Sequence, residues 1–365
     1  MPRYRPEIEA LNPYEVGRPI EEVARELGLD PDSIIKLTAN ESPDGPFPGV
    51  VEAAGAALAM SNRYPDNDAW DLRQGLAVEL GIDPSNLMFG NGSVALISEI
   101  VNAVGGPGTN IVYGWPSFVM YRFAAVWAGS EFVEVPLDAN FELDLHAMLN
   151  AVTSETRCVV ICNPNNPTGT IRASDDIEDF IGNVSEDVVV VVDEAYHDFV
   201  LDGRYRTEIP LAVAKPNVLV LRTFSKIYSL AAHRVGYAVG NETTLVQLRK
   251  AQAPLSVTTV SQAAALASLG QPDEISRRVQ VNAAARHHLV GAIAERGLTH
   301  TESHTNFVFF KMPSEDSRAM AGEFTARGVI LRPISGGWVR VTVGSNPENQ
   351  KFLDALDDVL REISP

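Results

Sequence analysis

Four polar side chains of this chain each follow a short run of apolar residues. Lys226 lies in the string TFSK after the run 218–221, Asp193 and Tyr196 follow five consecutive valines, and Asn166 lies in the turn NPNNPTG. Such runs are typical of buried strands in a parallel sheet, and ligands bind beyond the carboxyl ends of these strands. We therefore expect an amine, a carboxylate, a phenol and an amide to converge on one crevice.

This set of groups suits a cofactor with an aldehyde, a phenolic oxygen, a pyridine nitrogen and a phosphate, and pyridoxal 5'-phosphate has all four. Lys226 would hold the aldehyde and then move a proton at the substrate. Asp193, a carboxylate at the end of a buried strand, would pair with the protonated pyridine nitrogen. Tyr196 and Asn166 would contact the phenolic oxygen. The open alternatives are a surface lysine, a capping or ion-paired aspartate, a packed tyrosine and a simple turn asparagine.

A phosphate group needs backbone N–H donors and a cation. The turn GNGS at 90–93 ends a predicted strand and precedes the helical segment VALISEIV. It would present free N–H groups at the positive end of a helix. The residues that would contact the phosphate are Gly92, Ser93, Val94, Thr223, Ser225 and Arg234. Glycine turns before helices occur in every α/β fold, so a purely structural turn is the alternative for this motif.

The elements that must position these residues alternate along the chain. The predicted strands are 87–89, 110–113, 132–135, 158–161, 188–192 and 218–221, with amphipathic segments between them. This alternation predicts right-handed βαβ units and a mainly parallel sheet. Beyond about residue 254, long helical segments precede short strands, which predicts a smaller α+β domain. We expect an N-terminal arm at 1–40, a large domain at 41–254 and a small domain at 255–365.

Composition excludes several classes of protein. The chain has 365 residues and a net charge of −18, which argues against nucleic acid or an anionic membrane as partner. No apolar run approaches the roughly 20 residues that span a bilayer, and we expect a cytoplasmic protein. Cys158 and Cys162 lie in one predicted strand about 13 Å apart, too far for a disulfide. The seven histidines give no metal-binding pattern.

Together, in this order, the motifs resemble the fold-type I pyridoxal-phosphate aminotransferases, and within them the histidinol-phosphate aminotransferase family. The resemblance runs from NPYEVGRP at 12–19 to GWVRVTVG at 337–344. It implies an α/β fold with a three-layer αβα large domain and a smaller α+β C-terminal domain.

The same resemblance implies further roles. Phe118 in GWPSFVMY would stack on the pyridine ring, and Arg340 in GWVRVTVG would bind the substrate carboxylate. Tyr64 in NRYP would reach the phosphate in the neighbouring subunit of a homodimer. Core packing is the alternative for Phe118, and a surface position is the alternative for Arg340. Further candidates for the distal end of the substrate are Tyr14, Asn40 and Arg332.

Two departures from the family pattern bear on the substrate. Family members commonly read GLAGLR before the phosphate-binding arginine, whereas this chain reads SLAAHR at 229–234. Histidinol-phosphate enzymes often carry acidic residues after the serine of the phosphate turn, whereas this chain reads SVAL at 93–96. The strings GSVAL, NRYPDN and GWPSF resemble the actinobacterial aromatic, or phenylalanine, branch. We therefore expect transamination between an aromatic amino acid or L-histidinol phosphate and a 2-oxo acid such as 2-oxoglutarate, with a slight preference for aromatic amino acids.

Two other functions stay open at this point. A pyridoxal-phosphate decarboxylase of a phosphorylated amino acid would share the same cofactor motifs. A cofactor-sensing regulator built on an aminotransferase-like domain would carry an added basic helix-turn-helix segment, which is missing from this sequence.

Overall fold

The computed structural model of the protein describes residues 2–363. The α-helices within these residues are α1 (Pro6–Glu9), α2 (Ile20–Leu27), α3 (Val50–Leu58), α4 (Trp70–Leu80), α5 (Ser93–Val104), α6 (Met120–Ala128), α7 (Leu145–Ala151), α8 (Ser174–Asn183), α9 (Ile209–Ala214), α10 (Glu242–Leu248), α11 (Thr259–Ser268), α12 (Pro272–Glu295), α13 (Ser317–Ala326) and α14 (Asn346–Ile363). The strands are β1 (Ile35–Lys36), β2 (Leu87–Asn91), β3 (Asn110–Trp115), β4 (Glu131–Pro136), β5 (Thr156–Cys162), β6 (Val189–Asp193), β7 (Val218–Thr223), β8 (Val235–Gly240), β9 (Phe307–Lys311), β10 (Val329–Ile330), β11 (Arg332–Pro333) and β12 (Trp338–Thr342).

A seven-stranded sheet forms the centre of the molecule, in the order β2-β8-β7-β6-β5-β3-β4. The pairs β7–β6, β6–β5, β5–β3 and β3–β4 are parallel, and β8 is antiparallel to both of its neighbours. All six predicted strands of this region are present as β2 to β7. The prediction of a mainly parallel sheet is therefore confirmed.

The strands of this sheet are apolar on both faces because helices cover both faces. In β7, Val218 and Val220 point into one core cluster, whereas Leu219 and Leu221 point into another. Helices α5, α6 and α10 contribute to the cluster around Leu219, and α4, α7, α8, α9 and α11 contribute to the opposite one. Such burial explains the continuous apolar runs. The predicted three-layer αβα arrangement is confirmed.

A separate apolar core lies in the C-terminal part of the chain. It is formed by α12, α13 and α14 together with β9, β10 and β12. In α14, Phe352, Leu356 and Val359 lie on one face at spacings of four and three residues, as expected for an amphipathic helix. The strands β11, β12 and β9 form an antiparallel sheet. This arrangement agrees with the predicted smaller α+β part.

Two contacts bear on the predicted domain boundaries at residues 40 and 254, which stay predictions. Strand β1, from the predicted N-terminal arm, pairs in parallel with β10 of the C-terminal part. Helix α11, from the predicted small domain, packs against α3 and contributes Ala264 and Ala265 to the core of the large sheet. The predicted arm is therefore tied to the C-terminal part, and the predicted small domain is tied to the core of the large sheet.

Residues 2–363 contain no helix that combines the length and the apolar composition needed to cross a bilayer. Within the same residues, no group of three or more histidine, cysteine, aspartate or glutamate side chains could hold a metal ion. Cys158 and Cys162 are both buried and free. The cytoplasmic location stays a prediction.

Strand β8 was not predicted, because its sequence VGYAVG carries two glycines. Both glycines lie where other groups approach the backbone closely. A Cβ atom on Gly236 would lie 2.4 Å from the backbone nitrogen of Ser93, and one on Gly240 would lie 2.5 Å from a methyl carbon of Leu219. The glycines that weaken the strand pattern are thus required by the packing around β8.

We expect Gly236→Ala to lower the free energy of unfolding by about 1–3 kcal/mol, because the added methyl group meets backbone atoms. Urea denaturation followed by circular dichroism measures this change. Gly291→Ala is the matched control, since Gly291 lies within α12 with open space around it. It should raise stability by about 0.5–1 kcal/mol through helix propensity. Equal effects of the two substitutions would contradict the close approach at Gly236.

Candidate active site

The crevice lies where β5, β6 and β7 end at the same edge of the central sheet. β6 ends at Asp193 and β7 ends at Thr223, while Cys162 at the end of β5 is the direct neighbour of Asp193. Because these three strands are parallel neighbours, the loops that follow them lie side by side. The loop after β5 carries Asn166, and the loop after β7 carries Lys226.

The Lys226 amine is enclosed by backbone oxygens and lies near other cations. Its Nζ donates hydrogen bonds to the carbonyl oxygens of Ala39 at 3.0 Å and Asn40 at 3.1 Å. Burial lowers the pKa of Lys226 to about 7, and the positive charges of Arg340 and Arg234 act in the same direction. A substantial fraction of neutral amine is therefore present near neutral pH, which a nucleophile or a base requires.

The Asp193 carboxylate is buried and has no cationic hydrogen-bond partner among residues 2–363. Its Oδ2 accepts a hydrogen bond from the hydroxyl of Tyr121 at 2.7 Å, and its Oδ1 accepts one from the N–H of Ala195 at 3.2 Å. Burial raises the pKa of Asp193 to about 6, and the Tyr121 bond opposes this rise. A cation supplied by a ligand would stabilise this carboxylate.

Asn40 lies beside Lys226 and Tyr196, which differs from the expected position at the distal end of the substrate. Its Nδ2 donates to the hydroxyl oxygen of Tyr196 at 2.8 Å. The backbone of Asn40 is left-handed, with φ of 54°, and its N–H donates to the hydroxyl of Thr342 in β12 at 3.0 Å. This anchored turn aims the amide at Tyr196, whereas a sequence pattern gives no sign of the turn.

Arg340 and Asn166 meet at the floor of the crevice. The guanidinium of Arg340 donates to the side-chain oxygen of Asn166 and to the backbone oxygen of Thr38. Its buried Nε has no hydrogen-bond partner among residues 2–363. Burial lowers the pKa of Arg340 to about 10. A buried cation with a free donor and no carboxylate beside it is suited to bind an anionic ligand group.

The turn between β2 and α5 leaves the start of the helix open. Gly92 has φ of 74° and provides no side-chain cap for α5, whose first residues are Ser93 and Val94. A Cβ atom at position 92 would lie 2.4 Å from Nη2 of Arg234. The guanidinium therefore packs directly on the glycine, next to N–H groups at the positive end of the helix.

Two hydroxyl groups complete this end of the crevice. Nη1 of Arg234 lies 3.4 Å from the hydroxyl oxygen of Ser225, and the same nitrogen donates to the carbonyl of Ala231 at 3.0 Å. The hydroxyl of Thr223 donates to that of Ser225 at 2.9 Å. A guanidinium, two hydroxyl groups and the uncapped helix start thus lie together, and this donor set matches the chemistry of a phosphate.

A cavity of about 1160 Å³ opens beside these residues. Its lining includes Tyr14, Phe118, Phe123, Asn166, Arg332 and Arg340. Lys226 and Asp193 are not among its lining residues. Phe118 is half-buried and packs edge-on against Tyr121, with 5.8 Å between the ring centres. The cavity therefore leads from the predicted ring-stacking residue to the predicted substrate arginines.

The far part of the cavity combines a cation with aromatic rings. The guanidinium of Arg332 lies 5.5 Å from the ring centre of Tyr14 and donates to the backbone oxygen of Glu15. Tyr14 in turn packs edge-on against Phe123. In the sheet register, Arg332 is the direct partner of Arg340. The structure thus brings Tyr14, Arg332 and Arg340 together, as expected for a substrate site.

Tyr64 lies apart from the crevice within this chain. Its side chain is 86% exposed and is not among the residues that line the cavity. The predicted contact with a phosphate in a neighbouring subunit requires a second chain, so the role of Tyr64 stays a prediction.

The residues of the crevice fit pyridoxal 5'-phosphate. Asp193 offers a buried carboxylate that lacks a cation, Lys226 offers an amine of lowered pKa, and Gly92 allows Arg234 to lie against the helix start. When bound, this cofactor supplies an aldehyde for attachment and a ring that takes up electrons from the substrate. Lys226 would then hold and move a proton, and Asp193 would keep a proton on the ring nitrogen.

The sequence pattern of the family Aminotransferase class I and II matches residues 32–356. The chain belongs to this family. It is similar to the aromatic amino acid aminotransferase of Streptomyces coelicolor, with 38% identity over 362 residues that cover 99% of each chain. It is also similar to histidinol-phosphate aminotransferase 1 of Cupriavidus pinatubonensis, with 39% identity over 360 residues that cover 97% of this chain and 96% of the relative.

A solved structure gives the same assignment. The histidinol-phosphate aminotransferase of Sinorhizobium meliloti, in complex with pyridoxal-5'-phosphate, superposes with a TM-score of 0.91 and 28% identity, covering 100% of this chain and 99% of that chain. The predicted family, fold class, transaminase activity and cofactor are confirmed. The family and these relatives give no support to the decarboxylase alternative.

Ser229, one of the departures from the family pattern, has a structural explanation in this aminotransferase. It stands at φ of 58°, a left-handed conformation that favours glycine, which is common at this position in the family. Its hydroxyl accepts a hydrogen bond from Arg278 of α12, which also donates to the carbonyl oxygens of Ile227 at 3.2 Å and Gly45 at 2.8 Å. Arg278 therefore holds the loop that follows Lys226, a contact that the sequence pattern did not reveal.

His233, the other bulky departure, lies at the edge of this loop. Its backbone oxygen accepts a hydrogen bond from the hydroxyl of Ser261 in α11 at 2.7 Å. Burial lowers the pKa of His233, so its imidazole adds little positive charge beside Arg234 at neutral pH.

We expect Lys226→Met to stabilise the cofactor-free protein, most strongly below about pH 7. The pKa of Lys226 is lower in the folded chain than in the unfolded chain, so the protonated amine opposes folding. This cost is largest below the folded pKa and falls as the pH rises toward the ordinary lysine value of about 10.4. Urea denaturation at several pH values, with the exposed Lys250→Met as control, should show a difference that shrinks with pH. A difference that does not depend on pH would argue against the lowered pKa.

Proposed function

We propose that this aminotransferase transfers the amino group of an aromatic amino acid to a 2-oxo acid such as 2-oxoglutarate, and that L-histidinol phosphate is an alternative donor. The observation that carries this proposal is the pair of Arg332 and Arg340, direct neighbours in the sheet register at one wall of a cavity with aromatic sides. Relatives named for each of the two donors support this choice of substrates.

Arg340 favours donors that carry a carboxylate. Its guanidinium is buried, and its Nε lacks a partner among residues 2–363. Aromatic amino acids and 2-oxo acids both bring a carboxylate to this position, where charge-assisted hydrogen bonds are strong. Histidinol phosphate has no carboxylate, so it would leave this donor unused.

Arg332 and Tyr14 suit two kinds of distal group. The ring of Tyr14 already covers the Arg332 guanidinium at 5.5 Å, which makes this end of the cavity partly apolar. An aromatic ring would gain about 25 cal/mol for each Å² of apolar surface buried there. The second carboxylate of 2-oxoglutarate, or the phosphate of histidinol phosphate, would instead pair with Arg332. We infer that Tyr14 must move aside for the anionic groups.

The proposed roles of the cofactor-binding residues follow from their positions. Lys226 acts as the attachment point and as the base, and Asp193 holds the proton of the pyridine nitrogen. Tyr196 and Asn166 contact the phenolic oxygen, and Phe118 lies against the ring. The phosphate is held by Gly92, Ser93, Val94, Thr223, Ser225 and Arg234.

We expect L-phenylalanine and L-tyrosine to give values of kcat/KM at least comparable to that of L-histidinol phosphate, each measured on one preparation with 2-oxoglutarate. Borohydride reduction and peptide mapping first establish that the cofactor is attached to Lys226. A preference for histidinol phosphate by about 100-fold, near 2.7 kcal/mol of transition-state stabilisation, would reverse the assignment of the donor.

Substitution of Arg332 tests whether anionic and aromatic distal groups of the substrate depend on different contacts. Arg332→Met should slow the half-reaction with 2-oxoglutarate or histidinol phosphate by about 10-fold or more, and should slow that with phenylalanine much less. Arg318→Met is the matched control, because this exposed arginine lines the same cavity and is paired with Glu15.

We further propose a homodimer in which Tyr64 contacts the phosphate of the neighbouring subunit. Several large apolar side chains on or near α3 and α4 are exposed in the single chain, and exposed apolar surface is typical of an interface. These side chains belong to Val51, Leu58, Met60, Tyr64, Trp70 and Val78.

Mixing of two inactive variants tests this homodimer. Lys226→Ala and Tyr64→Ala subunits should form hybrid dimers in which one of the two sites has both side chains intact. Random exchange makes half of the dimers hybrid, so about one quarter of the wild-type activity should return. Size-exclusion chromatography with a tagged subunit verifies the exchange. If exchange is complete and activity stays at the level of the separate variants, Tyr64 does not act across the interface.

A further inference from the structure

Tyr121 contacts the carboxylate of Asp193 in the crevice. It lies in α6, is fully buried, and donates its hydroxyl hydrogen to Oδ2 of Asp193 at 2.7 Å. The other oxygen of Asp193 accepts the N–H of Ala195 at 3.2 Å. Tyr121 therefore provides the short side-chain hydrogen bond to this carboxylate.

The ring of Tyr121 is held by aromatic neighbours on two sides. Phe118, three residues earlier and just before α6, packs edge-on against it with 5.8 Å between ring centres, and Tyr113 of β3 packs at 5.6 Å. A ring held in this way directs its hydroxyl in one direction. The segment 118–121 thus provides both the ring-stacking candidate and the donor to Asp193.

The other titratable groups that face Asp193 stay neutral or are paired. Burial raises the pKa of Cys162 to about 12 and raises that of Tyr196 above its usual range. Glu194 is paired with Arg222 at 2.8 Å. Burial also raises the pKa of Tyr121, so its hydroxyl remains a neutral donor. The ionisation of Asp193 is therefore governed mainly by burial, which opposes it, and by the Tyr121 hydrogen bond, which favours it.

We propose that Tyr121 is a positioning residue for Asp193, whose carboxylate it keeps ionised and aimed at the pyridine nitrogen of the cofactor. The proposal rests on the proposed role of Asp193. Without the hydroxyl, the carboxylate becomes a stronger base, and the proton that it shares with the pyridine nitrogen moves toward Asp193. The ring then carries less positive charge and is a weaker acceptor of electrons.

The test uses Tyr121→Phe, which keeps the aromatic ring and removes the hydroxyl. We expect the dissociation constant for pyridoxal 5'-phosphate to rise about 10-fold, as for loss of a hydrogen bond to a charged group. The pH midpoint of the visible absorption band should move upward, because a less positive ring no longer lowers the pKa of the nitrogen attached through Lys226. We expect kcat to fall while the KM for the amino donor stays near the wild-type value.

Tyr113→Phe is the matched control. Tyr113 is also fully buried and packs on the same ring, but its hydroxyl donates to Glu134 at 2.9 Å. This variant should lose thermal stability without a change in the pH midpoint. If both variants shift the midpoint equally, Tyr121 has a general packing role and the proposal is wrong.

A double variant shows whether Tyr121 acts through Asp193. In the Asp193→Asn background, Tyr121→Phe should change the dissociation constant by less than about two-fold, because the amide has no charge to support. A further ten-fold loss in that background would contradict the proposal. So would a single variant Tyr121→Phe that matches the wild type in affinity and pH midpoint. A wild-type protein with no cofactor on Lys226 would contradict the proposed function as well.

Discussion

The active site depends on one constraint, the burial of a carboxylate that has no cationic hydrogen-bond partner in the described part of the chain. Asp193 ends a strand that is covered on both faces, and its hydrogen bonds come from a hydroxyl group and a backbone N–H. An ionised group in such a place is costly unless a ligand supplies the opposite charge. Lys226 presents the complementary case, since burial and nearby cations lower its pKa to about 7. A bound cofactor that is cationic at one end and anionic at the other would place an opposite charge beside Asp193 and beside the arginines of the crevice.

The strands that position these groups could be predicted because burial on both faces leaves a clear sequence pattern. The five valines before Asp193 and the apolar run before Lys226 follow from packing between two layers of helices. Strand β8 could not be predicted in this way, because two of its residues are glycines, which have low β-propensity. Gly236 and Gly240 are needed there because Ser93 and Leu219 lie too close to leave room for a Cβ atom. Whether a position has room for a side chain depends on residues that are distant in sequence, and a local sequence pattern does not contain this information.

The same limit applies to the side chains that support the active site. Tyr121 belongs to an amphipathic helix and has the pattern of a core residue, although its hydroxyl reaches Asp193, 72 positions further along the chain. Asn40 reaches Tyr196 because a left-handed turn is anchored on β12. The groups expected to contact the cofactor lie in short motifs, whereas the groups that orient them come from other elements. Motifs therefore predicted the first set, whereas they did not indicate Tyr121 and placed Asn40 at the distal end of the substrate.

Arg278 shows how the long helix α12 is coupled to the lysine loop. It lies 4.2 Å above the ring of Phe47, pairs with Glu274, and donates to the loop that follows Lys226. The left-handed conformation of Ser229 costs about 1 kcal/mol or more in an L-residue, and the part-buried hydrogen bond to its hydroxyl offsets this cost. Serine at position 229, where the family commonly has glycine, thus allows a side-chain hydrogen bond that connects this loop to α12.

At the substrate end, two guanidinium groups occupy directly opposed positions on neighbouring strands. Like charges in such a pair repel each other, and the charge of Arg332 contributes to the lowered pKa of Arg340. Each arginine donates to a backbone oxygen of the N-terminal arm, Arg332 to Glu15 and Arg340 to Thr38. Neutral carbonyl oxygens stabilise these cations less than an anion would. An anionic ligand group would therefore be a stronger partner for either guanidinium than the carbonyl oxygens that the arm supplies.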